Sequence, residues 1–220
     1  MLSREQIVAE AIELLDTEGF EALSMRRLGT KLNAGATSLY THVANKDELL
    51  ELVVDETFGE IRLPATPPQR WRPALLRLGR DIRAVLLRHP WITGVLSTAG
   101  LSHLGPNMMR LSEALLTILE SAGFDEESAD RGANVLLGYV IGATSTEAAM
   151  LTTLARSGLG EPEWLRRLRS AARAASSPYP RIHRRYTDHH DADPARTRDA
   201  HFDTELGIVL DALELRRLPG

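Results

Sequence analysis

Along this 220-residue chain the apolar residues recur every three to four positions, almost never every two. That period belongs to helices with one buried face, and the strict alternation of a half-buried strand is scarce. Trp71, Leu75, Leu78, Ile82 and Val85 are the plainest case. They form one stripe of a long amphipathic helix, with Arg70, Arg77, Arg80 and Arg88 mostly elsewhere. The predicted fold class is all-α.

Local chemistry sets the boundaries. Ser3 caps a first helix and Gln6, three residues on, completes a capping box. Ile7, Ala11, Leu14 and Leu15 are its apolar face, and Gly19 ends it. Ser24 caps a short helix from Met25 to Leu32, and Asn33-Ala34-Gly35 makes a tight turn. A third short helix runs from about Ala36 to His42. Asn45 caps a fourth that reaches about Ile61. Three prolines between Leu63 and Pro68 cannot continue a helix, so a domain boundary falls there. Residues 1–62 are one expected domain and residues 69–217 the other.

In the second part the long helix from Trp71 stops at His89-Pro90, because a residue before proline resists the helical region. A short helix follows from Trp91 to Ser97. Pro106 opens the next as its first residue, with Met108, Leu111, Leu115, Ile118 and Leu119 inward. Asp125 caps a longer helix reaching about Arg156. Its middle, Val135 to Ala143, is apolar all round, which predicts burial on all sides with a second subunit as part of the cover. Glu161 to Ala175 is read as a helix and Ser176 to Arg198, with Pro178, Pro180 and Pro194, as a loop. A last helix, about Asp199 to Arg217, carries Phe202, Leu206, Val209, Leu210 and Leu213 on one face.

Composition removes several classes of function. With no cysteine there is no disulfide framework, thiolate zinc site, iron–sulfur cluster or cysteine nucleophile. Glu5, Glu10 and Glu13 interrupt the apolar start, unlike a secretory signal. No stretch approaches ~18 uncharged apolar residues, so no membrane-spanning helix is expected. The net charge of −4 does not advertise nucleic-acid binding, so any such function must rest on a local arrangement.

That arrangement lies at Asn33-Ala34-Gly35. Two short helices joined there have the spacing of a helix-turn-helix, whose second helix enters the DNA major groove. Ala36, Thr37 and Ser38 are small enough to approach base edges and phosphates. Tyr40 adds a hydroxyl on a rigid ring. His42, Lys46 and the amides opening the fourth helix suit phosphates. Arg26 can meet a guanine edge with two donors. Leu28, Leu32, Leu39 and Val43 would hold the two helices together.

The stretch from Leu23 to Leu50, LSMRRLGTKLNAGATSLYTHVANKDELL, closely resembles the DNA-binding motif of the tetracycline-repressor-like family. The corresponding elements are Ser24, Arg26-Arg27, Asn33 to Gly35, Leu39-Tyr40-Thr41-His42-Val43 and Asn45-Lys46-Asp47-Glu48-Leu49. By position, the resemblance implies base or phosphate contacts from Arg26, Thr37, Tyr40, His42 and Lys46. Ala36 stands where many relatives carry a longer polar side chain, so an operator sequence does not transfer. His89-Pro90-Trp91, Pro106-Asn107 and Glu205-Leu206-Gly207 to Leu213 are similar, in order, to the C-terminal domain of the same family. The resemblance implies a helical domain that binds a small molecule and forms the dimer. The family's magnesium–tetracycline site uses histidines. Here Gly138 stands near one such position and His103 alone cannot rebuild the site, so a different ligand and no obligatory magnesium are implied.

Candidate ligand contacts are Trp91, His103, Asn107, Met108, Asn134 and Tyr139, apolar walls with a few polar groups. His183, His189, His190 and His201 with Asp188, Asp191 and Asp193 are metal-capable residue types, read as a solvated loop with no metal site. The basic run of Arg166, Arg167, Arg169, Arg173, Arg181, Arg184 and Arg185 reads as a solvated face. Ser97 and His103 lack nucleophile-elbow glycines and an orienting acid, so no catalytic residue, cofactor or enzymatic activity is expected. The chain thus reads as a cytoplasmic, homodimeric transcriptional repressor. Its partners are a near-palindromic double-stranded DNA operator and a small-molecule effector that releases it. An activator, a ligand-independent regulator and a helical carrier or enzyme are the alternatives.

Overall fold

A computed structural model describes residues 2–64, 68–99, 105–187 and 194–217. Every regular element among the described residues is helical. The N-terminal bundle is α1 (Arg4–Glu18), a single 3₁₀ turn (Phe20–Ala22), α2 (Met25–Lys31), α3 (Ala36–Tyr40) and α4 (Lys46–Phe58). The C-terminal bundle is α5 (Trp71–Arg88), α6 (Trp91–Ala99), α7 (Pro106–Ser121), α8 (Glu126–Ser157), α9 (Glu161–Ala175), α10 (Pro180–Thr187) and α11 (Pro194–Glu214).

Caps start the helices where the side-chain chemistry demands. The Ser3 hydroxyl accepts from the Gln6 amide at 3.3 Å, while the Gln6 side chain accepts from the Ser3 amide at 3.0 Å. Ser24 accepts from the Arg27 amide at 3.2 Å, Asn45 from Glu48 at 2.8 Å and Asp125 from Ser128 at 2.7 Å. Each removes one orphan donor, worth about 0.5–2 kcal/mol. Asn33 takes the turn with φ of 50°, a conformation asparagine accepts more readily than most residues. Two helices end earlier than the sequence pattern suggests, α3 at Tyr40 and α4 at Phe58.

Ile7, Ala11, Leu14, Leu28, Leu39, Val43, Leu49 and Val53 close the core of the N-terminal bundle. In the C-terminal bundle, α5 lies between α7, α8 and α11, presenting Leu75, Leu78, Ile82 and Val85 as predicted. At Gly79 three helices converge. A Cβ there would come within 2.6 Å of Leu206 and 3.5 Å of Val140, so the absent side chain sets how closely α11 approaches. One turn further on, Arg83 ties the same three helices together. It donates to both oxygens of Glu147 on α8, at 2.7 and 2.8 Å, and to Asp199 on α11 at 2.7 Å. Its guanidinium lies 5.0 Å from the centre of the Phe202 ring. Glu147 and Asp199 hold Arg83 above the already high arginine range.

Two expectations need correction. The segment 176–198 is not simply a loop: it contains α10, and α11 begins inside it at Pro194. Pro180 and Pro194 each occupy the first residue of a helix, where the missing N–H had no partner to lose. They start helices; they do not break them. Within one chain the middle of α8 is covered on one face only. Leu136, Val140 and Thr144 face the core, whereas Val135 is 55% exposed. Last, α8 is long and apolar enough, by length and composition, to cross a membrane, with an 18-residue window of mean hydropathy 1.3. One face of it packs on α5, α7 and α11, and Glu147 within it is ion-paired to Arg83 and Arg198. Within the chain 22% of that window is buried.

Candidate functional site

The turn after α2 sets α3 across the N-terminal bundle. Leu39 is fully buried, which anchors α3 by its inner face and sends Thr37, Ser38 and Tyr40 outward, with Tyr40 half exposed. Ala36 opens the helix behind Gly35, which has no side chain to cap it. The Ser38 backbone is held by its amide on the Gly35 carbonyl at 2.9 Å and by its carbonyl on Thr41 Oγ1 at 2.7 Å. The outer surface of α3 therefore offers hydroxyl groups on a fixed backbone.

Neighbouring cations divide into anchored and outward-facing ones. Arg27 pairs with Glu18, and Lys31 with Glu10 at 3.2 Å, which brace α2 against α1. Arg26 is exposed in the first turn of α2 and has no ion pair among the described residues. Lys46 starts α4 with its ammonium 4.9 Å from the centre of the Phe20 ring, a cation–π contact. His42 is half-buried, and its carbonyl accepts from Arg4 Nε at 3.1 Å. The amide of Glu48, in the first turn of α4, is taken by Asn45. Arg26, Thr37, Ser38 and Tyr40 are thus exposed polar groups of this region, with His42 and Lys46 partly engaged at its edge.

The six candidate ligand contacts do not converge on one cavity. His103 lies outside the described residues. Trp91 is buried, with its indole N–H on Asp16 Oδ1 at 2.7 Å. Asn107 donates its backbone N–H to Asp55 at 3.0 Å and its side-chain amide at 3.2 Å, and the Met108 amide also reaches Asp55 at 3.0 Å. These three residues form the junction between the two bundles. Asn134 is exposed and donates to Asp130 at 3.3 Å. Tyr139 donates to Glu205 at 3.1 Å. Burial, and then the neighbouring Glu205 carboxylate, pushes its phenol above the usual tyrosine range. It lines a separate groove of about 340 Å³ with Ala143, Met150, His201 and Phe202.

Sequence reasoning missed another space. A cavity of about 810 Å³ lies between the linker residues Leu63, Pro64 and Pro68 and the outer face of α7. Met109, Arg110, Glu113 and Thr117 line it from α7. The stripe 109, 113, 117 at four-residue spacing beside a proline linker was the available signal. It went unread because α7's inner stripe is the more apolar. Among the described residues no group of three or more metal-capable side chains converges. His183 is within 3.2 Å of the Ser176 hydroxyl, and residues 188–193 are outside the described set.

Comparison with known proteins agrees with this geometry. A family model described as "Tetracyclin repressor-like, C-terminal domain" matches residues 63–217, and one described as "Bacterial regulatory proteins, tetR family" matches residues 7–53. An HTH-type transcriptional regulator of Saccharopolyspora erythraea is 41% identical over 148 residues, which take in 67% of this chain and 62% of that relative's length. The structure of ActR of Streptomyces coelicolor in complex with (S)-DNPA aligns at TM-score 0.78 with 28% identity, covering 99% of this chain and 100% of ActR. BioQ with its natural double-stranded DNA operator aligns at TM-score 0.62 with 31% identity, covering 69% of this chain and 89% of BioQ. With both parts matched, the second over more than half of its length, the chain belongs to the tetR family of bacterial regulatory proteins, with a C-terminal domain of the tetracycline-repressor type.

Proposed function

We propose that this protein is a cytoplasmic, ligand-responsive repressor that binds a near-palindromic DNA operator as a homodimer and is released by a small molecule. Residues 1–62 are the reading head and residues 69–217 the sensing and dimerising part. The observation that carries the reading is the exposed polar surface of α3, Thr37, Ser38 and Tyr40, beside the outward Arg26, on a helix fixed from behind by buried Leu39. Hydroxyls and a guanidinium read base edges and phosphates, and a rigid backing keeps them in register with the groove.

Dimer formation is supported by the apolar surface that one chain leaves uncovered. Val135 on α8 is 55% exposed and Ile208 on α11 is 63% exposed. Two such helices from each chain make a four-helix bundle. The two heads then meet half-sites about one DNA turn apart, which makes the operator near-palindromic. The cavity beneath the linker, with apolar walls and Arg110, Glu113 and Thr117 as polar points, suits an effector of mixed apolar and polar character. DNA-bound BioQ and ActR with its small molecule show that relatives bind both partner classes. Effector releases DNA only if it favours a head arrangement that no longer matches the groove, and a coupling of ~1–3 kcal/mol gives about 5–150-fold relief.

The test is selection of genomic DNA fragments by wild type, Arg26→Ala and Tyr40→Ala, with a salt titration. The expected result is a palindrome enriched by wild type and lost by both variants, with affinity falling steeply as salt rises. No enrichment by folded wild-type dimer rules the reading out.

A further inference from the structure

We propose that the helical hairpin of α9 and α10 is a docking surface for an anionic lipid bilayer, which it meets peripherally through its uncovered apolar faces and its arginines. The docking is independent of the reading of residues 1–62 as a DNA-binding head.

Both helices are amphipathic, yet neither has a buried residue. On α9, Trp164, Leu165, Leu168, Ala172 and Ala175 recur at the spacing of one helix face. Tyr179, just before α10, and Ile182 and Tyr186 within it do the same. Leu168 is 49% exposed, Tyr179 61%, Ile182 47% and Tyr186 39%. Helices of fifteen and eight residues draw most of their stability in water from packing such a face. Among the described residues these faces stay largely uncovered.

The hairpin is nevertheless held as a unit. Ser176 is buried in its turn, with the hydroxyl 3.2 Å from His183 Nδ1, and the Tyr179 amide donates to the Ser176 carbonyl at 2.7 Å. Glu161, at the start of α9, pairs with Arg198 on α11, which fastens the hairpin to the C-terminal bundle.

Charge selects the occupant. Residues 161–187 hold seven arginines against two glutamates, in a chain whose net charge is −4. Arg167 pairs with Glu163 at 2.5 Å. Arg166, Arg169, Arg173, Arg181, Arg184 and Arg185 have no ion pair among the described residues. At 100° per residue, Arg167 and Arg169 flank the apolar face of α9, so their stems can lie along it with the guanidiniums at phosphate level. A nucleic-acid backbone would use these arginines and leave the apolar faces in water. A bilayer surface takes both. The apolar residues enter the boundary between headgroups and acyl chains, Trp164, Tyr179 and Tyr186 suit that boundary with an apolar ring and a polar edge, and the guanidiniums meet lipid phosphates.

The experiment mixes the full-length chain with vesicles of equal parts phosphatidylglycerol and phosphatidylcholine, or of phosphatidylcholine alone, and measures co-sedimentation as salt is raised. Wild type is expected to bind the anionic vesicles, to leave them at high salt and to bind the neutral ones far less. Arg181→Gln, Arg184→Gln and Arg185→Gln together are expected to weaken binding about 100-fold, roughly fivefold for each arginine. Leu168→Ser with Ile182→Ser is expected to weaken it while the salt dependence remains. Helix content and subunit mass are checked for each variant. The chain has no native cysteine, so Ile182→Cys carries a single polarity-sensitive dye, whose emission should shift to the blue on anionic vesicles. Should the Leu168 and Ile182 double variant not fold, that shift decides insertion. No binding by folded wild type, binding that the variants leave unchanged, or an unmoved dye overturns the proposal. If the variants instead lose subunit association, or affinity for a random DNA duplex, while wild type ignores the vesicles, the surface belongs to a second copy or to nucleic acid and the proposal is again overturned.

Discussion

Arg83→Met is the substitution whose cost the structure specifies best. The Arg83 side chain is 10% exposed and Glu147 13%, so this pair sits out of bulk water. Removing one member of a buried pair costs ~3–5 kcal/mol, chiefly because the other charge is left behind. Two features set the value at the lower end. Glu147 retains Arg198 at 3.2 Å, and Asp199 is 67% exposed, so water replaces its lost partner for under ~1 kcal/mol. The cation–π contact with Phe202 adds ~0.5–2 kcal/mol. The expected loss is therefore about 3.5–5 kcal/mol. The assay is urea denaturation at one protomer concentration, since the proposed dimer would make apparent stability depend on concentration. The midpoint should fall without a change in slope. Combining Arg83→Met with Glu147→Leu removes the stranded charge and should recover most of the loss. A loss below ~1 kcal/mol, or a double variant no better than the single one, would refute the electrostatic argument.

Leu39→Ala should destabilise the N-terminal bundle by ~2–5 kcal/mol and abolish DNA binding, whereas Tyr40→Phe should leave stability within ~0.5 kcal/mol while weakening binding, measured by thermal unfolding and a DNA shift assay. Val135→Glu with Ile208→Asp should convert dimer to monomer in sedimentation, and an unchanged mass would place the dimer surface elsewhere. In a phenolate absorbance titration, Tyr139 should ionise above the ordinary tyrosine range, and Tyr139→Phe should remove that late component. Because its neutral form is favoured in the fold, Tyr139 contributes stability that is complete below the ordinary tyrosine value of 10.0 and is lost as pH rises beyond it.

The outward surface of α3 was legible in the sequence. Ser24, the Asn33 turn, buried Leu39 and outward Tyr40 are short-range features, and a helix of one or two turns is set by residues within a few positions of one another. Of the basic pair the sequence singled out Arg26 and gave Arg27 no role. That Arg27 braces α2 on Glu18 while Arg26 faces outward depends on α1, whose position no local rule supplies.

The candidate ligand contacts were the least legible part. Trp91, Asn107 and Met108 are apolar or amide residues beside prolines, which describes the wall of a pocket and the joint between two bundles equally well. Their partners, Asp16 and Asp55, lie 75 and 52 residues away. The prolines of 176–198 misled for a different reason: a proline forbids a helix before it and favours one after it, and composition alone does not say which effect is in use.

The sequence by itself determined most of the elements, several of their caps and the inner faces of α1, α5, α7 and α11, because backbone geometry and hydrophobic period act over one or two turns. Only the tertiary structure decided which polar groups would be buried: Arg83 between three helices, His89 between two carboxylates, Asp55 at the start of α7. A buried charge is tolerated only where distant elements bring it a partner, and that meeting is a property of the packed chain.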